Sequence, residues 1–180
     1  MMYDIIVVGG GPAGLTAALY SVRAGKSVLV LEKANYGGQM ALSPRIENYP
    51  GFSKISGYDL SETIFKQVDA VGAELLDEEA LSISEKDKIK TVKTDMGEYQ
   101  SKAVIIATGM RHKTLGVENE NEYSGNGISY CAACDGAFYK DKCVAVVGGG
   151  NSAVQEALYL CDICKSVTVI QNLPSLTAEN

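Results

Sequence analysis

The chain has 180 residues, 46% of them hydrophobic and 21% charged, with a formal charge of −6. This is an ordinary globular composition with room for one generous domain or one and a fraction, and its acidic balance argues against nucleic acid or an anionic membrane as partner, because both select positive surfaces. The N-terminal Met1-Met2-Tyr3-Asp4 has no basic segment, and the apolar run behind it stops at Gly9, too short for a signal sequence or a membrane span, so a cytoplasmic protein is expected.

Residues 3–8, Tyr-Asp-Ile-Ile-Val-Val, form a β-branched run suited to a buried parallel strand. Gly9-Gly10-Gly11-Pro12-Ala13-Gly14 then turns into a helix from 15 to about 24, closed by Gly25, and residues 27–32 give the next strand. The first 32 residues therefore read as one complete βαβ unit. An amphipathic helix is predicted over 58–71, with Leu60, Ile64, Val68 and Val71 on one face and Gly72 as its stop. Residues 74–99 alternate and break at charged turns, the pattern of a small antiparallel meander. Another buried strand, 103–107, ends at Thr108-Gly109. From Met110 to about Gly127 the chain is rich in Glu, Asn and Gly and reads as a connection between domains. The opening pattern then recurs: a strand at Cys143–Val147, the loop Gly148-Gly149-Gly150-Asn151-Ser152-Ala153, a helix to about Asp162 and a strand at Ser166–Ile170. The expected fold class is α/β, a Rossmann-like nucleotide-binding fold with a parallel sheet flanked by helices and a small antiparallel β meander. A second nucleotide-binding domain is begun and left incomplete.

A glycine triplet alone is weak evidence, but here it lies between strand and helix and an acidic residue ends the following strand. Gly9 permits the tight turn, Gly11 lets the backbone approach a pyrophosphate at the positive end of a helix, and Gly14 brings helix against strand. Glu32 would accept hydrogen bonds from both hydroxyls of an unphosphorylated adenosine ribose, which selects FAD or NAD over NADP. The five cysteines fall as Cys131/Cys134, Cys143 and Cys161/Cys164. A two-residue spacer lets Cys131 and Cys134 close a disulfide with one activated thiol. Asp135 beside them is either a proton shuttle or a plain Asp-Gly turn residue. Two Cys-x-x-Cys pairs also permit a structural zinc module, but a nucleotide-binding strand and helix lie between them. Cys143, Cys161 and Cys164 are better read as buried packing residues, and no metal site is assigned. His112, among basic residues after the Ala-Thr-Gly loop, is read as a solvated connector.

These motifs, with Gly37-Gly38-Gln39, Glu47-Asn48-Tyr49-Pro50-Gly51 and Ile105-Ile106-Ala107-Thr108-Gly109, occur in the order seen in bacterial-type, low-molecular-weight thioredoxin reductases, which the chain resembles almost end to end. A Cys-Ala-Ala-Cys-Asp-Gly segment placed just before the second glycine loop separates that group from glutathione-reductase-like relatives, whose redox cysteines lie in the FAD domain. The resemblance implies an FAD-binding domain over 1–110, a connection over 111–127, and the start of an NAD(P)H-type domain over 128–180. Gly9, Gly11, Pro12, Ala13 and Gly14 would hold the FAD pyrophosphate, Glu32 the adenosine ribose, Gly37, Gly38 and Gln39 the flavin side, and Asn48 a further contact, with Ala107, Thr108 and Gly109 closing over the cofactor and Lys33 also among the cofactor-binding residues. Gly148, Gly150, Asn151, Ser152 and Ala153 would form the second nucleotide loop. The resemblance implies that Cys134 exchanges electrons with the flavin, Cys131 attacks the disulfide of a thioredoxin-like protein, and Asp135 handles the proton. It implies a cytoplasmic homodimer.

Two departures qualify what carries over. Where an NADPH-using member presents a His-Arg-Arg run to a 2′-phosphate, this chain has Gln171-Asn172-Leu173, without the forked cations a phosphate needs. NADPH is therefore disfavoured, and NADH or a ferredoxin, as in clostridial relatives that share the Gln-Asn-Leu-Pro segment, is the alternative donor. The family's second domain also continues beyond Asn180 and the chain then returns to complete the first, so a truncated product is expected. The competing reading is an FAD-binding remnant that does not turn over.

Overall fold

The structure, a computed structural model, describes residues 2–179 and divides into two compact units, one running to Arg111 and one starting at His112. In the first unit, β1 (Met2–Val8), α1 (Pro12–Arg23) and β2 (Val28–Glu32) make a parallel βαβ unit with Val7 opposite Val30. Pro12 stands in the first turn of α1, where its missing N–H costs nothing, so the helix begins before Leu15, the start expected from periodicity. The helix α2 (Gly57–Ala70) is capped by the Ser56 hydroxyl, which accepts the Asp59 N–H at 3.0 Å, and the chain leaves it through Gly72 at φ +92°.

Four more strands complete the sheet: β3 (Glu74–Asp77), β4 (Ala80–Lys86), β5 (Ile89–Thr94) and β6 (Glu98–Ile106), in the order β3-β2-β1-β6-β5-β4. Two expectations need correction. Residues 74–77 do not belong to the antiparallel meander; they pair parallel with β2, Leu75 opposite Val30. The strand read at 103–107 begins five residues earlier, at Glu98, because β6 is used on both edges. Its first half pairs antiparallel with β5, while Gln100 to Ile106 runs parallel beside β1. Gln100, Ser101 and Lys102 disguise the strand in the sequence. Ser101 is nevertheless fully buried, its hydroxyl donating to the Ala103 carbonyl at 2.9 Å, and Lys102 pairs with Asp4 at 2.7 Å.

Strand alternation sends side chains to both faces, and both are covered. Val7, Val28 and Val30 pack with Leu15 and Ala18 of α1 and Val68 of α2. Ile6, Val8, Leu29 and Leu31 pack on the other face with Tyr3 and Val92. This is why β1 and β2 read as unbroken apolar runs. Each such side chain adds about 1.5–3 kcal/mol by leaving water.

The second unit holds two short helices, α3 (Glu120–Tyr123) and α4 (Ala132–Asp135), then β7 (Cys143–Val147), α5 (Asn151–Cys161) and β8 (Ser166–Ile170). β7 and β8 pair parallel, Ala145 opposite Thr168, which repeats the opening βαβ unit. α5 buries Ala157 and Leu160. The expectation that the three remaining cysteines are buried fails: Cys143 and Cys161 are exposed and Cys164 is half-buried. Cys161 lies one residue, about 100° of helix, past Leu160 and so turns outward, and Cys143 shares the exposed face of β7 with Ala145 and Val147. Among the described residues no helix is long and apolar enough to cross a membrane.

Candidate functional site

The first glycine loop is built by short-range sterics. Gly9 has φ +108°, its N–H donates to the Leu31 carbonyl at 2.8 Å, and a Cβ there would collide with the Ala107 carbonyl. A Cβ on Gly14 would collide with the Gly9 carbonyl, so helix and strand close to this distance only without side chains. Gly11 is different: a Cβ there would meet nothing within 4 Å, and it caps α1 in extended conformation with no side-chain cap. The start of α1, with Pro12, Ala13 and Gly14 in its first turn, thus presents main-chain amides beside open space, the arrangement that takes a pyrophosphate.

Glu32 sits at the end of β2 beside this loop. Its Oε2 accepts the Gly10 N–H at 2.7 Å and its Oε1 accepts the Ala34 N–H at 3.0 Å. Each oxygen keeps a further acceptor position, so the carboxylate is aimed and still able to receive ribose hydroxyls, while a 2′-phosphate would meet its charge. The Gly10 carbonyl in turn accepts the Gly37 N–H at 2.8 Å, and a Cβ on Gly38 would stand 3.4 Å from Gly11 Cα, which ties the second glycine pair to the first. Gln39, in the 3₁₀ turn Gly38–Leu42, donates its amide to the Met110 carbonyl, just past Ala107, Thr108 and Gly109. The residues read as flavin-side therefore converge on one end of the sheet. Lys33, next to Glu32, pairs with Glu79 at 2.9 Å, and Asn48 lies on an exposed loop closed by the Ile46–Ile55 bridge.

Tyr36 carries a role the sequence reading missed. Its ring packs against Gly10 and its hydroxyl donates to the Leu76 carbonyl at 3.1 Å. Burial, followed by the charges of Asp77 and Glu32, pushes its ionisation well above the ordinary tyrosine range.

In the second unit Cys131 and Cys134 are joined in a disulfide across α4, with Cα atoms 5.3 Å apart, inside the range a disulfide spans without backbone movement. The Cys134 N–H points at Cys131 Sγ at 3.2 Å, and the Cys131 carbonyl accepts the Asp135 N–H at 3.1 Å. An amide aimed at Sγ favours a thiolate there when the bond is opened. Asp135 is half-buried and accepts the Ser129 hydroxyl at 2.6 Å. Upstream, the buried Glu120 carboxylate collects the Leu115 N–H at 2.6 Å, the Gly116 N–H at 2.7 Å and the Tyr130 hydroxyl. His112 is exposed, as a solvated connector would be, and stacks on the Tyr130 ring, centroids 3.5 Å apart. Ser129, Tyr130 and Glu120 escaped the sequence reading because their hydrogen-bond partners lie two to ten positions away with no motif to mark them. A hydroxyl two residues before a redox cysteine was the one available signal.

The second glycine loop repeats the first in its turn: Gly148 has φ +133° and donates to the Ile170 carbonyl at 2.8 Å, and α5 opens from Gly150 into Asn151, Ser152 and Ala153. Its surroundings differ. A Cβ on Gly149 would collide with the Gln171 amide, the Thr177 N–H donates to the Gly149 carbonyl at 2.8 Å, and the Glu179 N–H donates to Asn151 Oδ1 at 2.7 Å. Among the described residues no group of three or more His, Cys, Asp and Glu side chains is placed to hold a metal ion, and Cys131 and Cys134 bond to each other.

A family model described as pyridine nucleotide-disulphide oxidoreductase matches residues 3–180. The thioredoxin reductase of Bacillus subtilis (strain 168) is 45% identical over 179 residues, covering 99% of this chain and 57% of that protein. Among solved structures, thioredoxin reductase from Streptococcus pyogenes MGAS5005 superposes with a TM-score of 0.91 at 44% identity, over 99% of this chain and 58% of that one. That from Giardia duodenalis gives 0.94 at 36% identity, again over 99% and 58%. The chain thus spans less than three fifths of the length of the relatives it matches.

Proposed function

The chain belongs to the pyridine nucleotide-disulphide oxidoreductase family, and from that premise we propose that it is the N-terminal portion of a flavin-dependent disulfide reductase acting on thioredoxin or a similar small dithiol protein. The observation that carries the reading is the Cys131–Cys134 disulfide beside Asp135, in a chain whose first unit presents a dinucleotide loop with Glu32 aimed at it. We assign residues 1–110 to an FAD-binding domain, 111–127 to the connection and 128–180 to the start of the second nucleotide domain. The same reading makes the whole protein a cytoplasmic homodimer.

The first loop fits FAD. Gly11 leaves the backbone open to the pyrophosphate, the start of α1 supplies the amides, and Glu32 receives the ribose hydroxyls. FAD, when bound, supplies a two-electron reductant inside the protein. The cysteines do the rest of the chemistry. Two electrons and two protons open the Cys131–Cys134 bond to two thiols. Cys131, as thiolate, attacks one sulfur of the partner's disulfide and expels the other, leaving a mixed disulfide. Cys134 then attacks Cys131 Sγ, re-forming the bond and releasing the partner's second thiol. Asp135 gives and takes the proton that each departing or attacking sulfur needs.

The donor is the finer part of the proposal. The lack of a cation in Gln171-Asn172-Leu173 disfavours NADPH against NADH. Gln171 against Gly149 and the tail bonds of Thr177 and Glu179 crowd the second loop for either nucleotide, which supports a ferredoxin-type protein delivering electrons singly as the other donor.

The test is to purify the chain with FAD and offer NADPH, NADH and reduced ferredoxin in turn, following flavin absorbance and thiol release from oxidised thioredoxin. Flavin bleaching and thioredoxin thiols with NADH or ferredoxin is the expected result, and Cys134→Ser should keep the bleaching and lose the thiols. Flavin binding without thiol release under any donor would reduce this chain to a cofactor-binding remnant.

A further inference from the structure

Ser129 stands at a junction of three polar groups. Its Oγ donates to Asp135 Oδ2 at 2.6 Å, accepts the Cys131 N–H at 3.1 Å, and lies 3.3 Å from the Cys131 carbonyl. A hydroxyl has one proton and two lone pairs, so it cannot donate to both oxygens at once. The short contact to Asp135 takes the proton as long as that carboxyl is ionised. A protonated Asp135 reverses the polarity: its O–H donates to Ser129 Oγ, and the serine proton swings to the Cys131 carbonyl, already within reach. The Cys131 N–H bond is untouched in either state.

We propose that Ser129 is a positioning residue that holds the Asp135 carboxyl group in one place at the redox turn whether or not it carries its proton. The proposal rests on the disulfide-reductase reading above and on Asp135 as its proton carrier. A turn-forming serine explains the bond to the Cys131 N–H, since Ser often receives the amide two residues on. It does not explain a second, shorter bond to the acid six residues away. A group that must both give and take a proton needs a neighbour that can accept from one form and donate to the other, and a hydroxyl is the smallest side chain that does both.

The experiment uses the full chain and needs no flavin. Dithiothreitol reduces the Cys131–Cys134 bond in two thiol–disulfide exchanges, ending as its own cyclic disulfide and leaving two protein thiols. The rate, read by rapid alkylation and mass spectrometry, is followed from pH 5 to 9. Asp135→Asn should slow the reaction and reduce its pH dependence to the single rise that dithiothreitol thiolate formation imposes. Ser129→Ala should shift the profile the same way with a loss of about tenfold, the scale of a displaced acid–base group. Ser129→Thr should restore the wild-type profile, and Ser129→Ala with Asp135→Asn together should be no slower than Asp135→Asn alone. Should Ser129→Ala fold poorly, Thr and Val at this position differ only in the hydroxyl, and Val alone should show the Asp135→Asn profile. A wild-type profile in Ser129→Ala or Ser129→Val beside an altered Asp135→Asn overturns the role of Ser129 and leaves the reductase reading standing. A wild-type profile in Asp135→Asn overturns both the proton assignment and the inference. A bond that dithiothreitol does not open at any pH sinks the reductase reading itself.

Discussion

Tyrosine hydroxyls in the first unit are turned against carboxylates, and this gives single residues a measurable pH signature. Tyr99 donates to Glu78 Oε1 at 2.7 Å, and that bond, then burial, pushes its ionisation up to about 12 from the ordinary 10. Burial, with a hydrogen bond to Glu74 at 2.7 Å, raises Tyr3 further, and burial raises Tyr36. In each case the folded state resists losing the proton while the unfolded chain gives it up near 10. The contribution is therefore complete below pH 10 and is lost as pH rises toward 12 and beyond. Urea midpoints at pH 8, 10 and 11 should fall in this order, and Tyr99→Phe, which has no proton to lose, should fall less steeply; equal slopes would refute the linkage. At this scale the sequence was legible wherever chemistry is written in adjacent residues. Gly9 and Gly14 mark a strand–helix junction with no room for side chains, Glu32 follows at the strand end beside it, and Cys131-x-x-Cys134 declares a closable pair. Ser129, Glu120 and Tyr36 were not legible, because each works through a partner that only the folded chain delivers.

The β4–β5 hairpin shows how an element tolerates an unfavourable residue. Lys86 faces Ile89, so the loop is only Asp87 and Lys88, with φ +51° and +64°. Both must adopt the left-handed conformation of a type I′ turn, which suits the strand twist but favours Asn-Gly. Asp87 is tolerable there; Lys88 carries a Cβ penalty. Lys88→Gly should stabilise the first unit by about 0.5–1 kcal/mol, the left-handed strain relieved less the entropy glycine adds to the unfolded chain. Thermal unfolding would show this as a rise of a few degrees, and no rise would mean the strain is absent. The same hairpin explains an error of sequence reading. An Asp-Lys turn has no glycine to announce it, so nothing in the sequence parts the meander from β3, whose Leu75 faces Val30 of a parallel strand. β6 was shortened because Gln100, Ser101 and Lys102 look like loop, although two neighbours bond to this stretch. The helices α1, α2 and α5 and the strands β1, β2, β7 and β8 were all legible, since their apolar period lies within one local segment.

For the molecule as a whole, the duplicated βαβ pattern predicts two equivalent halves, and the burial of side chains makes them unequal. Ile6, Val7, Leu29 and Val30 are entirely out of water, with α1 and α2 on one face of the strands and Tyr3 and Val92 on the other. In the second unit the corresponding strands leave Val147 51% and Ile170 51% exposed, and α5 leaves Leu158 66% exposed. The βαβ pairing is repeated, but β1 and β2 each have a strand on both sides while β7 and β8 pair only with each other, so the second copy has both less main-chain pairing and less of the apolar burial that opposes local opening. Periodicity could not reveal this, because it reports which face of an element is apolar and not what covers that face. Native-state hydrogen exchange on this chain reads the result. If the repeated βαβ pattern made the two halves equally stable, the amides of Ala145 and Val146 would exchange as slowly as those of Ile6 and Val7. With less burial and no outer neighbour strands, β7 and β8 should exchange at least about a hundredfold faster than β1 and β2. Reducing Cys131–Cys134 should speed exchange in 128–140 without altering β1 or β2, because that bond closes a loop within the second unit.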